Sequence, residues 1–430
     1  MKKPASRVSR RRFVQTAAAA VTTPVIVPRS VFGQGDNSAP NDRIGVGVIG
    51  PGKMGSGWHV STLLGFPDVQ ILVMCDVDTT RREHNKRRVD DKYGNSDCTP
   101  CNHFRDVLAR KDIQAVLIAT PDHWHAIPII EACQAGKDVY CEKPLTLTIL
   151  EAKRCIDAVR KHQRVFQTGS QQRSNNFGKF REACEIIRSG RLGKIKSVTV
   201  GVGGPSRPCD LPEEPMEPGL DWDLWLGQAP MRPYNSVLSP RGIHNHFPAW
   251  RAYREYSGGG MTDMGAHHYD IAQWCLEMDD SGPVEIIPPE DPNAQSGVKY
   301  IYEAGIEMTH GGPQGCVFTG EKGTLHIGRG VLTSDPESIA KTPLADDEVH
   351  LPHSPGHHRD WLNCIRSRER CIADVEIGAR SVTVCHLGNL AYWHDRPLRW
   401  DPKSWQFEGS AEDKALIDRD RRDPWQLPEV

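Results

Sequence analysis

The 430-residue chain has no long hydrophobic run, no strong net charge of either sign and no regular cysteine spacing. No segment reaches the roughly 18 apolar residues that a membrane helix needs, so we expect no membrane span. A net charge of −2 creates no field that would attract nucleic acid or an anionic membrane, and we expect neither as a partner. The 13 cysteines are odd in number and scattered, which favours reduced thiols over a disulfide-stapled scaffold.

The N-terminal stretch differs in character from the rest of the chain. Residues 9–15 (SRRRFVQ) are followed by a short, weakly apolar run over residues 16–27. This order of basic and then modestly hydrophobic residues resembles a twin-arginine export signal. It predicts a signal segment over residues 1–35, a linker over 36–42, and export to the periplasm. Because no Ala-x-Ala cleavage site is evident, a disordered basic arm stays as the alternative.

A glycine-rich loop follows the first predicted strand. Residues 44–49 (IGVGVI) have the pattern of a buried parallel strand and lead into Gly50-Pro-Gly52-Lys-Met-Gly55. In such a loop Gly50 permits a tight turn, Gly52 lets the backbone approach a pyrophosphate, and Gly55 allows close packing of helix on strand. The predicted cofactor-binding residues here are Gly50, Gly52, Lys53, Met54 and Gly55.

The second predicted strand, residues 69–75, ends at Asp76, which is 21 residues beyond Gly55. A carboxylate at this position accepts hydrogen bonds from an adenosine ribose and favours NAD over NADP. Arg81 and Arg82 lie just beyond and are suited to a 2′-phosphate, so NADP stays as the less favoured cofactor.

Strands and helices continue to alternate up to residue 168. Buried strands are predicted over residues 115–119, 138–142 and 165–168, with helices between them. This pattern predicts a doubly wound parallel sheet of the Rossmann type, with domain bounds of 43–166. Ligands bind at the strand ends of such sheets, and the expected cofactor contacts there are Thr120, Pro121, His125 and Glu142.

Lys143 directly follows one of these strand ends and precedes Pro144. An ammonium group in the crevice polarises a substrate oxygen and stabilises the negative charge that develops on it. The alternative is an ordinary solvated lysine.

A second glycine-rich stretch, residues 258–270 (GGGMTDMGAHHYD), leads into a predicted helix over 261–278. Asp263 and His267 are four residues apart on that helix, and Asp270 falls on the same face. A carboxylate one turn from an imidazole can fix its tautomer and raise its basicity, as proton transfer requires. A capped helix with a buried histidine is the alternative.

These motifs, in this order and spacing, resemble the Gfo/Idh/MocA oxidoreductases, the family of glucose–fructose oxidoreductase and inositol dehydrogenase. The resemblance extends from Arg43 to about Trp400 and rests on four motifs. They are Gly50-x-Gly52-x-x-Gly55, Thr120-Pro-x-x-x-His125, Gly136-Lys-x-Val-x-x-Glu142-Lys143-Pro144 and Gly258-Gly-Gly-x-x-Asp263-x-Gly265-x-His267-x-x-Asp270.

The resemblance implies a Rossmann domain followed by an α/β domain with an open, mostly antiparallel sheet. It places Lys143, Asp263 and His267 at catalytic positions and Asp270 at an acidic position near the substrate. The strand patterns beyond residue 168 agree with such a sheet, and we assign residues 167–400 to this domain and 401–430 to a polar tail. One face of the sheet is left for substrate or for a partner subunit, so we expect a homo-oligomer formed through it.

Substrate contacts are expected just before the second glycine-rich stretch. Tryptophan faces stack on sugar rings and basic side chains hold hydroxyls, so His246, Trp250 and Arg251 are predicted substrate ligands. Arg173 is predicted on the same grounds, with Asp270 implied by the resemblance. Trp222 and Trp225 are interpreted as core residues.

No metal is predicted. Cys98-x-x-Cys101 with His103 has metal-ligand spacing, but no second pair follows, and free loop cysteines are the preferred interpretation. A metal held by His244, His246, Asp263 and His267 is a less favoured alternative, because a nicotinamide cofactor already supplies redox chemistry.

The resulting hypothesis is an NAD-dependent oxidoreductase acting on a sugar or polyol, with His267 oriented by Asp263 as acid/base and Lys143 polarising the reacting oxygen. A second hypothesis uses the same residues for a glycosidase that retains NAD and acts by transient oxidation and elimination. A non-catalytic sensor on the same fold is disfavoured, because Lys143, Asp263 and His267 are all present.

Overall fold

The computed structural model describes residues 42–174 and 178–430. The predicted signal segment and nearly all of the predicted linker lie outside the described residues, so the export signal stays a prediction. Within the described ranges, no helix is both long enough and apolar enough to cross a membrane.

The first sheet has six parallel strands in the order β3-β2-β1-β4-β5-β6. Strand β1 lies between β2 and β4, so successive strands are added first on one side of β1 and then on the other. This strand order confirms the predicted doubly wound sheet. All residues of β1, β4, β5 and β6 are buried, as expected when helices cover both faces. The strands are β1 Ile44–Ile49, β2 Val69–Cys75, β3 Thr99–Cys101, β4 Ala115–Ile118, β5 Asp138–Cys141 and β6 Phe166–Thr168.

The helices of this half follow the strands in alternation. The first, α1, begins with a π-helical turn over Gly55–Val60 and continues as Ser61–Leu63. Thr148 caps the helix Ile149–Lys161, which is α5, in a capping box with Glu151, as the Thr-x-x-Glu spacing predicts. The remaining helices here are α2 Thr79–Tyr93, α3 Phe104–Leu108, α4 Ala126–Gln134 and α5 Ile149–Lys161.

The second sheet has eight strands, and every pairing in it is antiparallel. Its order is β12-β11-β10-β9-β8-β13-β14, with β7 paired to the long strand β10. The strands are β7 Ile195–Gly201, β8 Glu285–Ile287, β9 Lys299–Ile301, β10 Glu307–Gly320, β11 Thr324–Gly328, β12 Val331–Asp335, β13 Leu398–Asp401 and β14 Gln406–Glu408. The open antiparallel sheet implied by the resemblance is therefore present.

Helix α12, Val375–His394, lies between the two halves of the molecule. It packs against both α5 and α9, which is Gly265–Cys275. The other helices of the second half are short, apart from α9 and α11. In chain order, the helices of the second half are α6 Phe180–Arg188, α7 Trp222–Leu226, α8 Gly260–Asp263, α9 Gly265–Cys275, α10 Ser338–Lys341, α11 His357–Ser367, α12 Val375–His394 and α13 Ala411–Ala415.

The predicted polar tail is more structured than the sequence suggested. Strand β13 ends at Asp401 and β14 pairs with it, so the sheet extends into residues 401–430. The chain then returns to the first half, where Leu150 donates a backbone hydrogen bond to Ile417 and Arg421 forms an ion pair with Glu151. The segment therefore covers the first domain of its own chain.

Candidate active site

The glycine-rich loop has the shape that dinucleotide binding requires. Gly50 has a φ of +79°, and a Cβ there would come within 2.8 Å of the Thr120 backbone nitrogen. A Cβ on Gly55 would lie 2.5 Å from the Gly50 carbonyl oxygen, so helix and strand pack as closely as predicted. A Cβ on Gly52 would meet no atom within 4 Å, which leaves open space beside the loop for a pyrophosphate.

A cavity with about 910 Å³ of empty space, including the part open to solvent, adjoins this loop. Among the predicted cofactor residues it is lined by Gly50, Gly52, Lys53, Met54, Asp76, Thr120 and Pro121. The structure thus brings most of the predicted cofactor residues together around one space.

Asp76 lies at the end of β2 on the wall of this cavity. Its Oδ1 accepts a hydrogen bond from the backbone nitrogen of Asp78 at 2.9 Å. Burial raises the pKa of Asp76 to about 6, although the charge of Arg81 opposes the shift. A ribose hydroxyl pair would supply the hydrogen bonds that a buried carboxylate needs, so the residue fits an adenosine ribose.

His125 and Glu142 are buried behind the strand ends on which they were predicted. His125 is buried, with ring nitrogens 2.8 and 3.0 Å from the carbonyl oxygens of Pro144 and Thr120. Glu142 is also buried, and its Oε1 lies 2.9 Å from His59 Nε2 and 2.6 Å from Gln171 Nε2. Neither side chain lines the cofactor cavity. Both residues brace the loops that carry Thr120 and Lys143, and their direct contact with the cofactor stays a prediction.

Lys143 and Asp263 form a direct ion pair between the two domains. Lys143 Nζ donates to Asp263 Oδ1 at 2.7 Å and to the Asp263 carbonyl oxygen at 2.9 Å. The Lys143–Pro144 peptide bond is cis. Burial acts to raise the pKa of Asp263, but the charges of Lys143 and Arg251 outweigh it and hold that pKa below its ordinary value. The ammonium is therefore held in a fixed position at the strand end, as its predicted role requires.

Arg251 connects this ion pair to the cofactor cavity. Its Nε lies 3.5 Å from Asp263 Oδ1, and its guanidinium stacks over the Trp250 ring at 4.1 Å. Both Arg251 and Trp250 line the cavity. Two of the three residues predicted from the segment before the glycines are therefore in the site. The third, His246, is exposed and does not line the cavity, so the structure does not support its predicted substrate contact.

The predicted orientation of His267 by Asp263 is not found. The expected continuous helix is interrupted at Met264, with α8 ending at Asp263 and α9 beginning at Gly265. The Asp263 carboxylate turns to Lys143, and within the described residues His267 Nδ1 has no hydrogen-bond partner. Met264 itself keeps helical dihedral angles, so the partner of Asp263 is decided by the tertiary contact with Lys143 and not by helical spacing.

His267 is buried and its pKa is held well below the ordinary range, first by burial and then by the charge of Lys143. The imidazole is therefore neutral at physiological pH. A neutral imidazole is in the form that can accept a proton.

Close backbone packing explains the glycines at the start of α8. Gly259 has a φ of +75°, and a Cβ there would lie 2.5 Å from the Ser206 nitrogen. A Cβ on Gly260 would lie 2.5 Å from Gly203 Cα. The glycines let this segment lie against residues 203–206, which positions Asp263 beneath Lys143.

Arg173 and Asp270 form a buried ion pair in place of the predicted substrate contacts. Arg173 Nε lies 2.9 Å from Asp270 Oδ2, with 1% and 0% of the two side chains exposed. Ser381 and Asp279 complete the hydrogen bonding of the pair. Because their polar groups are occupied by each other, the two residues hold α9 in place, and the prediction of substrate contact is corrected.

Two residues of the site were not singled out from the sequence. Asp122 is buried, accepts a hydrogen bond from Ser257, and has its pKa raised by burial to about 7. Arg329 lies in the β11–β12 turn, donates to Gln172 Oε1 at 3.0 Å, and lowers the pKa of His267 through its charge. The available signals were a carboxylate four residues beyond the end of β4 and an arginine between two glycines.

The residues considered as metal ligands do not form a set. Cys98 and Cys101 are free thiols, and His244 pairs through its ring with the backbone of His246. In the described residues the group with metal-ligand geometry is Asp360, Cys364 and Cys371, none of which was predicted. Asp360 Oδ2 already accepts a hydrogen bond from Ile372 N at 2.9 Å.

Comparisons with known proteins agree with this architecture. Residues 44–170 match the family model for the oxidoreductase family, NAD-binding Rossmann fold, and residues 206–427 match its C-terminal alpha/beta domain. Myo-inositol 2-dehydrogenase of Thermotoga maritima is 29% identical over 232 residues, 54% of each chain. An uncharacterized oxidoreductase of Bacillus subtilis, YrbE, is 30% identical over 234 residues, again 54% of each chain. The matched region thus spans about half the length of these curated relatives.

Solved structures share the fold over a larger part of the chain. The aldose-aldose oxidoreductase from Caulobacter crescentus has a TM-score of 0.57 at 16% identity, covering 83% of this chain and 99% of that one. The WlbA dehydrogenase from Bordetella pertussis, solved with NADH and UDP-GlcNAcA, has a TM-score of 0.56 at 18% identity, covering 83% and 98%. With a six-stranded NAD-binding sheet and the family's antiparallel C-terminal domain, the chain belongs to the Gfo/Idh/MocA oxidoreductase family.

Proposed function

We propose that this protein is an NAD-dependent oxidoreductase that transfers hydride between nicotinamide and a hydroxyl or keto carbon of a sugar or polyol. The observation that carries the proposal is the Lys143–Asp263 ion pair, which joins a strand end of the NAD-binding sheet to the second domain. Relatives named as inositol 2-dehydrogenases support the substrate class. NADP stays as the less favoured cofactor.

The cofactor would be held by the glycine-rich loop, with Asp76 on the adenosine ribose and Thr120 and Pro121 at the neighbouring strand end. When bound, its nicotinamide ring supplies hydride acceptance and return. The side chains around it then have to position the substrate carbon, hold its oxygen and move one proton.

Lys143 is suited to hold the substrate oxygen. The Lys143 side chain is 13% exposed, and Asp263 holds its ammonium group in one orientation. One ammonium proton can therefore be donated to an oxygen placed beside it. A fixed positive charge stabilises the alkoxide character that develops as hydride leaves the carbon. Asp263 thus acts as a positioning residue for Lys143 in this proposal, replacing the predicted role of orienting His267.

His267 is suited to take the hydroxyl proton. Because burial and the Lys143 charge keep it neutral, it is in the proton-accepting form before the reaction. Once it holds the proton it can return it in the reverse direction. Arg251 and Trp250, on the adjoining cavity wall, would bind the rest of a sugar through hydrogen bonds and ring stacking.

The experiment is a screen of sugars and polyols against purified protein with NAD, followed by appearance of reduced nicotinamide absorbance. Turnover with wild type, and its loss in His267→Asn with NAD affinity retained, would support the proposal. Equal turnover in the variant would contradict the role of His267.

A glycosidase that retains NAD is the second candidate. Two relatives named as glycosyl hydrolase family 109 proteins match this chain, one at 29% identity over 162 residues, 36% of this chain and 34% of that protein. Cleavage of a chromogenic glycoside without added cofactor would favour this candidate, whereas net NADH production would favour the first.

Export through the twin-arginine route and assembly into a homo-oligomer are part of the same proposal. Residues 9–15 support export, and the open eight-stranded sheet supports assembly. Cell fractionation with an Arg11→Lys/Arg12→Lys variant tests the first, and light scattering tests the second.

A further inference from the structure

Two thiols and a carboxylate lie together beside α11, outside the lining of the cofactor cavity. Asp360 and Cys364 are four residues apart on α11, so the helix places both side chains on one face. The helix is capped by Arg368, which has a φ of +64°, and Cys371 follows three residues later. One ligand atom from each of Asp360, Cys364 and Cys371 lies within 4.8 Å of the other two. We call these three residues the thiol–carboxylate cluster.

The spacing of the cluster fits one shared metal ion. In a tetrahedral zinc site the metal lies about 2.3 Å from a thiolate sulfur and about 2.0–2.2 Å from a carboxylate oxygen, which sets ligand atoms roughly 3.5–3.8 Å apart. Because no two ligand atoms of the cluster are more than 4.8 Å apart, small side-chain rotations bring them to this separation. Three protein ligands leave the fourth position for a water molecule.

The Asp360 carboxylate is held in position without being neutralised. Its Oδ2 accepts hydrogen bonds from the backbone nitrogen of Ile372 at 2.9 Å and from Gln167 Nε2 at 3.2 Å. Gln167 is itself fixed, since its Oε1 accepts from the backbone nitrogen of Ala373 at 3.0 Å. Within the described part of the chain, Asp360 forms no ion pair with an arginine or a lysine. Hydrogen bonds that orient a carboxylate and leave its charge unbalanced are typical of a metal ligand.

The two thiols are buried in anionic surroundings. Cys364 is 7% exposed and Cys371 is 4% exposed. The charged side chains that act on them are carboxylates, which are Asp360 and Glu369 for Cys364, and Asp360 and Asp374 for Cys371. A negative field of this kind attracts a divalent cation. Among such cations, zinc suits two thiolates and one carboxylate best.

Two neighbouring thiols alone do not indicate a metal site. Cys184 and Cys275 are also buried, and their sulfur atoms are 2.7 Å apart. In the described residues, however, no third side chain of a ligand type lies close enough to complete a set with them. This pair therefore serves as a comparison for the thiol–carboxylate cluster.

We propose that Asp360, Cys364 and Cys371 bind one zinc ion, which fastens α11 to the start of α12. The ion takes the place of the two thiol protons, which pass to solvent, and no electrons are transferred. Helix α11 also carries His357, whose Nε2 lies 2.7 Å from the carbonyl oxygen of Thr168 at the end of β6. Because α12 packs against both α5 and α9, the ion would stabilise the region where the two domains meet.

Metal titration of the full-length protein tests the site, after a chelator has removed bound metal and a reductant has kept the thiols reduced. Co²⁺ is the visible probe, because thiolate-to-cobalt charge transfer absorbs in the near ultraviolet. We expect one equivalent of Co²⁺ to produce this absorption band and one equivalent of Zn²⁺ to abolish it. Zn²⁺ should also raise the midpoint of thermal unfolding of the metal-free protein by about 5 °C.

Three variants separate the cluster from other thiols. Cys364→Ser/Cys371→Ser should lose both the absorption band and the thermal shift. Asp360→Asn keeps the shape of the side chain and one acceptor oxygen, so it should fold and bind Co²⁺ at least about tenfold more weakly. Cys184→Ser/Cys275→Ser is the matched control, since it removes two adjacent buried thiols that lack a carboxylate, and it should bind Co²⁺ as wild type does.

Absence of the band in reduced wild type would overturn the proposal, as would an undiminished band in Cys364→Ser/Cys371→Ser. Equal loss of the band in the control variant would also overturn it, and equal affinity in Asp360→Asn would remove the carboxylate from the site. Intact mass of the purified protein detects a Cys364–Cys371 disulfide, and failure of the reduced protein to bind Co²⁺ would then decide for a disulfide. Hydride transfer is measured separately, so its absence would contradict the proposed function alone.

Discussion

Lys143 donates two hydrogen bonds to Asp263, one to Oδ1 at 2.7 Å and one to the backbone carbonyl oxygen at 2.9 Å. The two residues are 120 positions apart and belong to different domains. Lys143 is placed by the end of β5, and Asp263 by the packing of Gly259 and Gly260 against residues 203–206. The reacting groups of the proposed enzyme are thus set by the docking of the second domain on the first.

Replacing Lys143 by Met should reduce kcat by about 10²- to 10³-fold, because it removes the charge that stabilises the developing oxyanion. Asp263→Asn should reduce kcat less, since the ammonium stays but loses its orientation. Steady-state kinetics of the two single variants and the double variant measure this. The double variant should be no slower than Lys143→Met alone, because Asp263 acts through Lys143. Additive losses would contradict that dependence.

His267→Asn should reduce kcat by about 10²- to 10⁴-fold through loss of the proton acceptor. The residue is 4% exposed, so Asn preserves a polar group in the pocket while removing the titratable nitrogen. NAD affinity, measured by calorimetry, should stay within about twofold of wild type because His267 does not line the cofactor cavity. A variant that loses NAD binding together with activity would point to a structural role.

Asp122 should make the stability of the fold depend on pH. Its pKa is raised from 3.8 to about 7, so the folded state holds the proton more tightly than the unfolded state. The stability that this group contributes is complete below pH 4 and is lost as pH rises to about 7. Denaturant unfolding of wild type and Asp122→Asn at several pH values checks this. The variant should gain stability relative to wild type as pH rises through that window, and a constant difference would contradict the shift.

Arg173 and Asp270 should behave as a structural pair. Arg173→Ala leaves a buried carboxylate without its partner and should reduce the free energy of unfolding by about 3–5 kcal/mol. Arg251→Ala, at a partly exposed position, should change stability by less than about 1 kcal/mol while raising KM for substrate. Chemical denaturation and kinetics of both variants check this contrast. A stable Arg173→Ala protein with a raised KM would restore the substrate role first predicted for it.

The sequence was most informative where function fixes the backbone. Gly50, Gly52 and Gly55 could be predicted because each glycine meets one steric requirement of a dinucleotide-binding loop. Strand β1 could be predicted because a buried parallel strand is apolar throughout. Four widely spaced motifs in a fixed order made the family evident from the sequence.

Side-chain partnership was less predictable. Asp263 and His267 have helical spacing, but the carboxylate of Asp263 pairs with Lys143, which is 120 residues away in the sequence. Arg173 and Asp270 are 97 residues apart, and sequence spacing does not show that two charges neutralise each other in the interior. His59, Asp122 and Arg329 contribute through tertiary contacts, and the local sequence around each of them does not reveal its partner.

The most direct test of the account is a single-turnover experiment with NAD-loaded protein and a sugar or polyol substrate that carries deuterium on the reacting carbon. We expect reduced nicotinamide to appear in wild type, with the deuterium found on the cofactor by mass spectrometry, and neither signal in His267→Asn loaded with the same amount of NAD. Product formation with no deuterium on the cofactor, or equal transfer in the variant, would contradict hydride transfer at a site built from Lys143, Asp263 and His267.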